Sequence, residues 1–545
     1  MAKVTGAQAV VKSLEREGVD MVFGIPGNHN MPIFDALYRH PRIRHIVVRH
    51  EQAAAFMADG YARASGKIAA VLSLPGPGVT NAYTGLGEAY TDSSPVLLLA
   101  TQVNRAYIDQ HKGLLHELPR QLQVLDPIMK YSQRVMDAAE TPHAVHRALT
   151  EARNGRPRPV QIEIPRDVQL EMCDWPDEWD ALPPARKVRV CAPAEMVEAA
   201  ARALCDAQRP MIYAGGGVIS SEASQELVEL AERLGAPVLT TGMGAGSIPG
   251  DHPLACGVAW IASADIRPLV AACDAFLAVG TRFNEAMTHG WSLKLPPVTI
   301  RIDVDPEEIE RNLPMRQKLV GDARETLAAI NQRLADWGKV RGRQIPPRLA
   351  AARDEYRAAL EAKAGSTRPW MDALRSSLPR DTIISADMSL FWADMLGIFP
   401  IYEPRTMLFP WGYGTLGFSI PEALGAKVAL PERPVIAIAG DGAFLFTGME
   451  LATAIKYNLN IPILVVNNNA YGMIKVQQRD QYDGQYIAVD LDNPDFVRLA
   501  HAFGVYGERV ASPEALSAAL GKALVADRPT VIEIPWGWTW GAERA

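Results

Sequence analysis

The chain has 545 residues, of which 48% are hydrophobic and 21% charged, and its formal net charge is −7. This length predicts about two to four domains, the acidic balance argues against a nucleic-acid-binding surface, and no apolar run reaches the roughly 18 residues of a membrane span. The five cysteines form no CxxC pair, which favours reduced thiols in a cytoplasmic protein.

The first third of the chain alternates short apolar runs with helical patterns. Its runs are MVFGIPG, RHIVVRH, AAVLSLPGPG, SPVLLLA and PVQIEIP, and the gaps between them suit crossover helices. This pattern predicts a parallel, doubly wound α/β sheet. The CDWPDEWDALPPARK stretch that follows is typical of a linker.

Three stretches of this block carry residues suited to proton transfer. RHEQAAAFMADG places Glu51 at a helix start, where a carboxylate also favours the helix dipole, so helix capping is the alternative role. His29 lies in the turn GIPGNHN, and His116 lies in KGLLHELPRQ. Histidine exchanges protons near neutral pH, although a loop histidine is most often a surface residue.

The middle and last blocks repeat the alternation. RPMIYAGGGV, APVLTTGMG, AFLAVGTRF and TIRIDVDPEEI predict a second α/β unit, and we interpret the polar helical segment 323–363 as a connector. DTIISADMS, PVIAIAGDG, IPILVVNNN and PTVIEIPW predict a third unit. The predicted fold is α/β, with three doubly wound parallel sheets.

The last block combines an acid between glycines with a run of asparagines. Asp441 follows one predicted strand, Asn467 and Asn468 end the next, and a helix is predicted from Thr447 to Tyr457 between them. Carboxyl ends of neighbouring parallel strands meet at one sheet edge, and oxygen ligands there suit Mg²⁺. The alternative is that Asp441 only caps a helix and the asparagines only turn the chain.

GDG followed by NN one helix and one strand later resembles the motif of thiamine diphosphate-dependent enzymes. The likeness covers the whole chain, in the three-domain order of the acetolactate synthase, benzoylformate decarboxylase and pyruvate oxidase group. It implies an aminopyrimidine-binding domain at 1–180, a nucleotide-fold-like middle domain at 190–335 and a diphosphate-binding domain at 360–545.

The resemblance also implies the cofactor site. Glu51 matches the glutamate that hydrogen-bonds the aminopyrimidine ring and so activates the cofactor. WGYGTLGFSIPEALGA matches the segment that supports the cofactor, and SADMSLFWAD matches a diphosphate loop, although it departs from the Gln-His loop usual in acetolactate synthases. The implied Mg²⁺ ligands are Asp441, Asn468 and the Ala470 carbonyl, and the other implied cofactor contacts are Ser389, Gly414, Leu416, Gly440 and Gly442.

The implied substrate is a small 2-oxo acid. His29 and His116 match loops that carry acid–base residues in decarboxylases of the family, and Gln102 matches a glutamine near the substrate. Gln477 replaces a tryptophan found in many acetolactate synthases. We therefore expect decarboxylation through an enamine intermediate to an aldehyde, with carboligation of the acetolactate synthase type as the alternative.

Two further expectations come from the resemblance. YAGGGV, GTRFNE and IDVDPEEI resemble nucleotide loops of relatives that carry FAD, but GVAWIAS at 257–263 replaces their GMHG-like segment, which argues against FAD. The family cofactor lies between domains of two chains, which implies a homodimer or homotetramer with active sites at the subunit interface.

Two other functions remain as rivals. A nicotinamide-dependent oxidoreductase predicts GxGxxG after the first strand, where this chain has GIPGNHN. A catalytically inactive relative would lack Glu51, Asp441 or Asn468, and the chain has all three.

Overall fold

The computed structural model describes residues 2–181, 183–260, 264–339 and 342–537. Three six-stranded sheets follow one another along the chain, and every strand pair within them is parallel. The predicted α/β fold is thereby confirmed. Each sheet lies inside one predicted domain, and the limits of these domains stay predictions. Met1 and residues 538–545 lie outside the described residues. In the described ranges, no helix is long and apolar enough to cross a membrane.

The first sheet has the order β3-β2-β4-β5-β7-β6, and a separate antiparallel pair, β1-β8, lies beside it. The strands are β1 Ala2–Thr5, β2 Met21–Gly24, β3 Arg44–Val47, β4 Ala70–Ser73, β5 Leu97–Gln102, β6 Tyr131–Arg134, β7 Val160–Pro165 and β8 Met172–Trp175. The helices are α1 Gly6–Arg16, α2 Met31–Tyr38, α3 Glu51–Ser65, α4 Pro77–Thr91, α5 Gln121–Val124, α6 Thr141–Arg153, α7 Arg166–Leu170 and α8 Asp177–Ala181. The predicted linker is therefore partly wrong, because Trp175 and Trp179 are buried in the core of this block.

The middle sheet has the order β11-β10-β9-β12-β13-β14. Its strands are β9 Pro210–Ala214, β10 Val238–Thr240, β11 Ala255–Val258, β12 Ala275–Val279, β13 Val298–Asp303 and β14 Gln317–Val320. Its helices are α9 Ala194–Asp206, α10 Gly216–Ser220, α11 Ser224–Leu234, α12 Arg267–Ala272, α13 Ala323–Asp336 and α14 Pro347–Ala364. The segment 323–363 is not a plain connector, since α13 buries Leu327 and Ile330 in this block and α14 buries Leu349 and Leu360.

The last sheet has the order β16-β15-β17-β18-β20-β19. Its strands are β15 Ile383–Ala386, β16 Met407–Leu408, β17 Val435–Gly440, β18 Pro462–Asn467, β19 Tyr506–Arg509 and β20 Thr530–Pro535. Its helices are α15 Arg368–Ser377, α16 Leu390–Met395, α17 Ser419–Ala429, α18 Asp441–Thr447, α19 Leu451–Lys456, α20 Gly472–Gln481, α21 Phe496–Ala502 and α22 Pro513–Ala523. The helix predicted from Thr447 begins earlier, at Asp441, and is interrupted by a 3₁₀ turn at Gly448–Glu450.

Helices α3 and α17 join the first and last blocks through backbone contact. A Cβ atom on Gly60 would lie 2.1 Å from the Glu422 carbonyl oxygen, and one on Gly425 would lie 2.0 Å from that of Met57. Residue 60 meets 422 while 57 meets 425, so the helices are antiparallel. Since α3 starts at the carboxyl edge of the first sheet and α17 at that of the last, the two carboxyl edges face opposite ends of the molecule.

Four buried carboxyl groups surround one arginine at this helix crossing. Nη1 of Arg63 lies 3.4 Å from Asp92 and 3.8 Å from both Asp59 and Glu422. Burial raises the pKa of Asp59 to about 6 and that of Glu88 to about 9, and it raises the pKa of Glu422 well above its ordinary value. One guanidinium cannot neutralise four carboxylates, so the cluster retains protons.

Candidate active site

Asp441 lies at the carboxyl edge of the last sheet, where β17 runs into α18. Its side chain is buried, and Oδ2 accepts hydrogen bonds from Asn493 Nδ2 at 2.6 Å and from the Ala470 backbone N–H at 3.2 Å. Burial raises the pKa of Asp441, and the bonds from Asn493, Gly442 and Ala470 oppose that rise. Helix α18 begins at this residue, so Asp441 lies both at a helix start and at the carboxyl edge of the sheet.

Asn468 meets Asp441 at this edge, as the motif predicts. Its Oδ1 accepts from the Ala470 N–H at 3.2 Å, so the side-chain oxygens of Asp441 and Asn468 converge on one backbone amide. Asn467 donates to Glu533 Oε1 at 2.9 Å, and its Oδ1 accepts at 3.2 Å from the same Asn493 amide that bonds Asp441. Gly472 is required here because a Cβ atom would lie 2.6 Å from Asn468 Nδ2.

This oxygen set fits a hard cation. A carboxylate and an amide oxygen beside a backbone turn are the ligand types that Mg²⁺ takes, with substrate phosphates supplying the rest. Among the described residues there is no group of three or more histidine, cysteine or acidic side chains that could hold a metal, so a soft transition-metal site is not the alternative.

Two segments flank Asp441. Ser389 lies beside Gly440, since a Cβ atom added to Gly440 would be 3.6 Å from the Ser389 Cβ atom. The Ser389 hydroxyl already accepts from Trp392 N and caps α16. Gly414 is exposed with φ +72°, and Leu416 is half-buried in the same loop. Thr447 of α18 holds this loop by donating its hydroxyl to the Gly417 carbonyl at 2.8 Å. Ser389 thus lies next to Gly440, while the loop that contains Gly414 and Leu416 contacts the far end of α18.

Glu51 lies at the carboxyl edge of the first sheet. It is the first residue of α3, 7% exposed, and its Oε2 accepts from Asn81 Nδ2 at 2.9 Å. His50 caps the helix through Nδ1, which accepts from Gln52 N at 3.2 Å, so Glu51 itself is not the capping side chain. Asn81, on α4, has no motif that marks it in the sequence.

His29 and His116 come together at the same edge, although 87 positions separate them in the chain. Their ring centroids are 5.3 Å apart, and within the described residues neither Nδ1 atom has a hydrogen-bond partner. Burial lowers the pKa of His29, and the nearby His116 and Arg166 lower it further. The His116 backbone adopts φ +65° and packs against Gly76, in the turn that precedes α4.

Gln102 ends β5 at this edge but is fully engaged inside the protein. It is 1% exposed, its Oε1 accepts from Val103 N at 2.8 Å, and its Nε2 lies 3.4 Å from Glu163 Oε2. Gln121 donates to the same Glu163 oxygen at 2.8 Å and accepts from Gly76 N. Gln102 therefore belongs to a buried network beneath the His116 loop.

The two groups of residues lie at opposite ends of one chain. Nine residues separate Glu51 from the crossing at Gly60, and three separate Glu422 from Ser419 at the start of α17. At 1.5 Å per residue, these lengths place Glu51 about 18 Å along the helix axes from the edge that carries Asp441. Within one chain, Glu51 and Asp441 are therefore far apart.

A cavity of about 530 Å³ lies where the three blocks meet. The strand order of the middle sheet reverses between β9 and β12, and ligands of open α/β sheets bind at such points. All three predicted nucleotide loops line the cavity, through residues such as Gly216, Arg282 and Asp303, and Arg156 and Arg405 reach it from the other blocks. Residues 261–263 of the GVAWIAS segment lie outside the described residues.

Three family models match the chain. They are "Thiamine pyrophosphate enzyme, N-terminal TPP binding domain" over residues 4–124, the "central domain" over 197–330 and the "C-terminal TPP binding domain" over 388–534. Together they follow the three sheets in order.

Several relatives are similar to this chain over nearly the full length. A "Probable acetolactate synthase large subunit" of Methanocaldococcus jannaschii is 36% identical, with 97% of this chain and 91% of that protein covered. A "Probable 2-ketoarginine decarboxylase" of Pseudomonas aeruginosa is 38% identical, covering 92% and 88%. The "Acetolactate synthase large subunit" of Corynebacterium glutamicum is 34% identical, covering 97% and 86%.

Proposed function

The chain belongs to the thiamine pyrophosphate enzyme family, and from this membership we propose that it decarboxylates a 2-oxo acid and joins the remaining fragment to a second carbonyl compound. Relatives named acetolactate synthase support this carboligation at least as well as aldehyde release, which reverses the order expected from the sequence. Release of an aldehyde is the second candidate, because His29 and His116 form a pair that can supply a proton and one relative is named a decarboxylase.

The observation that carries the proposal is the convergence of Asp441 and Asn468 on the Ala470 amide. We propose that these oxygens and the Ala470 carbonyl hold Mg²⁺, and that Gly440, Gly442 and Ser389 surround the diphosphate of thiamine diphosphate. The bound cofactor supplies the electron sink for cleavage next to a carbonyl group. Residues 360–545 form the diphosphate-binding domain in this proposal.

Residues 1–180 form the aminopyrimidine-binding domain in the same proposal. Glu51 would hydrogen-bond a ring nitrogen of the aminopyrimidine, and Asn81 orients its carboxylate by donating to Oε2 at 2.9 Å. A buried carboxyl group can hold or release that proton according to its partner. Gly414 and Leu416 support the ring from the other domain, and Gln102 belongs to the buried Glu163 network beneath the His116 loop.

A second copy of the chain completes each site in this proposal. Glu51 and Asp441 face opposite ends of one chain, so each must meet its counterpart from another molecule. Large apolar side chains beside Asp441 are exposed in the single chain, with Phe446 at 48% and Leu445 and Met449 at 43% and 42%. An apolar patch of this kind next to a polar site is typical of an interface.

The middle domain, residues 190–335, raises the question of FAD. Arg405 lines the cavity, donates to the carbonyls of Arg63 and Ile219 and forms no ion pair within the described ranges. Because its positive charge is not neutralised by a carboxylate there, the cavity fits an anionic nucleotide. The Gly217 N–H, however, is taken by the Gly280 carbonyl at 3.0 Å and is not free for a phosphate. A flavin would add two-electron chemistry that neither candidate reaction needs. FAD stays the less favoured cofactor, and the visible absorption spectrum of the purified protein tests it.

The reaction is tested by supplying purified protein with thiamine diphosphate, Mg²⁺ and a panel of 2-oxo acids. Carbon dioxide release is followed, and products are identified by mass spectrometry. We expect an acyloin as the main product and loss of release in Glu51→Gln, while Glu140→Gln, at an exposed position, behaves as wild type. A predominant aldehyde would select the second candidate. Absence of release from every acid by cofactor-loaded protein would refute both.

The shared site is tested by complementation. Glu51→Gln and Asp441→Asn chains are each expected to be inactive alone. Mixed dimers, prepared with two affinity tags, contain one centre with both residues intact and one with neither. Recovery of about half the wild-type activity supports a site built from two chains, and continued inactivity of verified mixed dimers contradicts it.

A further inference from the structure

Glu450 connects the last block to the backbone directly before Glu51. Its side chain is fully buried, and Oε1 accepts from the Arg49 N–H at 2.9 Å. The His50 N–H also donates to this carboxyl group, and the Thr453 hydroxyl donates to Oε2 at 2.5 Å. Burial raises the pKa of Glu450, and these donors oppose the rise.

These contacts fix the start of α3. Both residues that precede Glu51 donate their amides to Glu450, while the His50 ring accepts from Gln52 N. Glu51 can therefore move only if this short segment moves. A displacement of about 1 Å at a reacting group can cost on the order of 100-fold in rate, so the segment is placed where small shifts matter.

The same stretch of the last block also carries Asp441. Helix α18 begins at Asp441, and the 3₁₀ turn that follows it ends at Glu450. Phe444 of α18 is in the core, and a Cβ atom on Gly448 would lie 2.7 Å from its ring, so the stretch is tightly packed. In a dimer with shared sites, Asp441 and Glu51 of one chain serve different centres. The stretch 441–450 therefore reaches from one centre to the other.

We infer that Glu450 is a positioning residue that holds Glu51 of its own chain. Through stretch 441–450, Glu450 also links occupation of the metal site at one centre to the activating carboxylate of the other centre. This inference rests on the proposed function and its shared site. It adds a residue and a physical route that connect the two centres.

The positioning part is tested in the mixed dimer, where one chain supplies Glu51 and the other supplies Asp441 to the only intact centre. Glu450→Gln in the chain that supplies Glu51 should lower kcat by roughly 10- to 100-fold, with KM unchanged. The same substitution in the other chain should leave kcat within about twofold. Equal effects from the two placements would overturn the inference, while failure of the parent mixed dimer would count against the shared site instead.

The linkage part is tested by hydrogen exchange, which does not depend on turnover. Peptides covering residues 49–52 of the Glu51→Gln chain are recognised by their mass in the mixed dimer. Adding Mg²⁺ and thiamine diphosphate fills the intact centre, which contains Asp441 of that chain. We expect slower exchange at 49–52 of that chain, and loss of this response with Glu450→Gln in it. An unchanged exchange rate in the parent mixed dimer would overturn the linkage.

Two further variants separate this role from general stability. Thr453→Val removes one donor to Glu450 and should have a weaker effect in the same direction, which keeps the test open if Glu450→Gln folds poorly. Tyr457→Phe is the matched control, because the Tyr457 hydroxyl accepts from Val47 N at 2.9 Å in the same interface but does not touch the residues next to Glu51. A loss of kcat in Tyr457→Phe equal to that in Glu450→Gln would refute a specific role.

Discussion

Asn493 ties the Asp441 end of the site together from a distant part of the chain. Its Nδ2 lies 2.6 Å from Asp441 Oδ2, 3.2 Å from Asn467 Oδ1 and 3.3 Å from Asn469 Oδ1. Groups that orient metal ligands typically change metal affinity by about 10- to 100-fold when removed. Asn493→Ala should therefore weaken Mg²⁺ binding by about that factor.

Calorimetric titration of Mg²⁺ in the presence of thiamine diphosphate measures this effect. Asp492→Ala, at the exposed neighbouring position, should bind Mg²⁺ as the wild type does. Equal affinities for Asn493→Ala and the wild type would show that Asp441 needs no such support.

The His29–His116 pair gives a pH-dependent prediction. Burial, His116 and Arg166 all lower the pKa of His29, so its protonated form is lost at a lower pH than for an ordinary histidine. Arg166→Gln removes one of these charges and should raise that pKa. If His29 donates the proton for aldehyde release, the aldehyde share of the products should then persist to higher pH.

Product ratios measured across the neutral pH range test this prediction. Arg120→Gln serves as an exposed control on the same side of the first block. A profile that Arg166→Gln leaves unchanged would remove His29 from the proton-donating role.

The motifs in the sequence predict where the candidate site residues lie in the fold, but they do not mark the residues that contact these from distant segments. Glu51, Asp441 and Asn468 follow from strand and helix ends, where chain direction alone places them at an edge. Asn81 and Asn493 act through contacts across folded segments, and no local pattern marks such an amide. Gln102, which the resemblance matches to a glutamine near the substrate, lies at the carboxyl end of β5, but its side chain is buried in the network of Glu163.

At the scale of elements, Gly60 and Gly425 allow α3 and α17 to touch. Alanine at a glycine in this contact and alanine at a glycine outside it should therefore have opposite effects on stability. Gly60→Ala would place a Cβ atom 2.1 Å from a carbonyl oxygen that belongs to another helix backbone. We expect a destabilisation of about 1–3 kcal/mol or more, as for other overpacked cores. Gly521→Ala, in α22, meets nothing within 4 Å and should stabilise by about 0.5–1 kcal/mol.

Urea unfolding of both variants and the wild type measures the two effects. The second variant controls for the intrinsic helix preference of alanine. Similar midpoints for Gly60→Ala and Gly521→Ala would mean that the helices can move apart without cost.

The strands that the sequence did not reveal are mainly edge strands. β6, β11, β14, β16 and β19 all lie at the edge of their sheets. They are short, and β6 and β19 have no fully buried residue, because one side of an edge strand meets loops or solvent. Central strands are buried on both faces and read as continuous apolar runs, which explains why they were predicted correctly.

For the molecule as a whole, the acid cluster around Arg63 makes the junction of the first and last blocks sensitive to pH. The pKa of Asp59 is raised to about 6 and that of Glu88 to about 9, above the values of the unfolded chain. The folded protein therefore binds more protons than the unfolded protein from the ordinary pKa values of these groups, 3.8 and 4.5, up to their raised values, and stability falls as pH rises through this range. Glu422→Gln removes one buried carboxyl group and should flatten this fall.

Thermal unfolding midpoints measured from about pH 4 to about pH 9 test this, because the range runs from the ordinary pKa of Asp59, 3.8, to the raised pKa of Glu88, about 9. Glu355→Gln changes charge at an exposed position and should keep the wild-type slope. A slope that is the same in Glu422→Gln would show that the cluster does not govern the pH response.

The opposed carboxyl edges of the first and last sheets also bear on how enzyme activity depends on protein concentration. If each centre is built from two chains, as proposed, a lone chain contributes no turnover. Below the dissociation constant of the pair, the number of working centres grows with the square of the chain concentration. Specific activity should then drop on dilution and recover, after a lag set by re-pairing, when the solution is concentrated again.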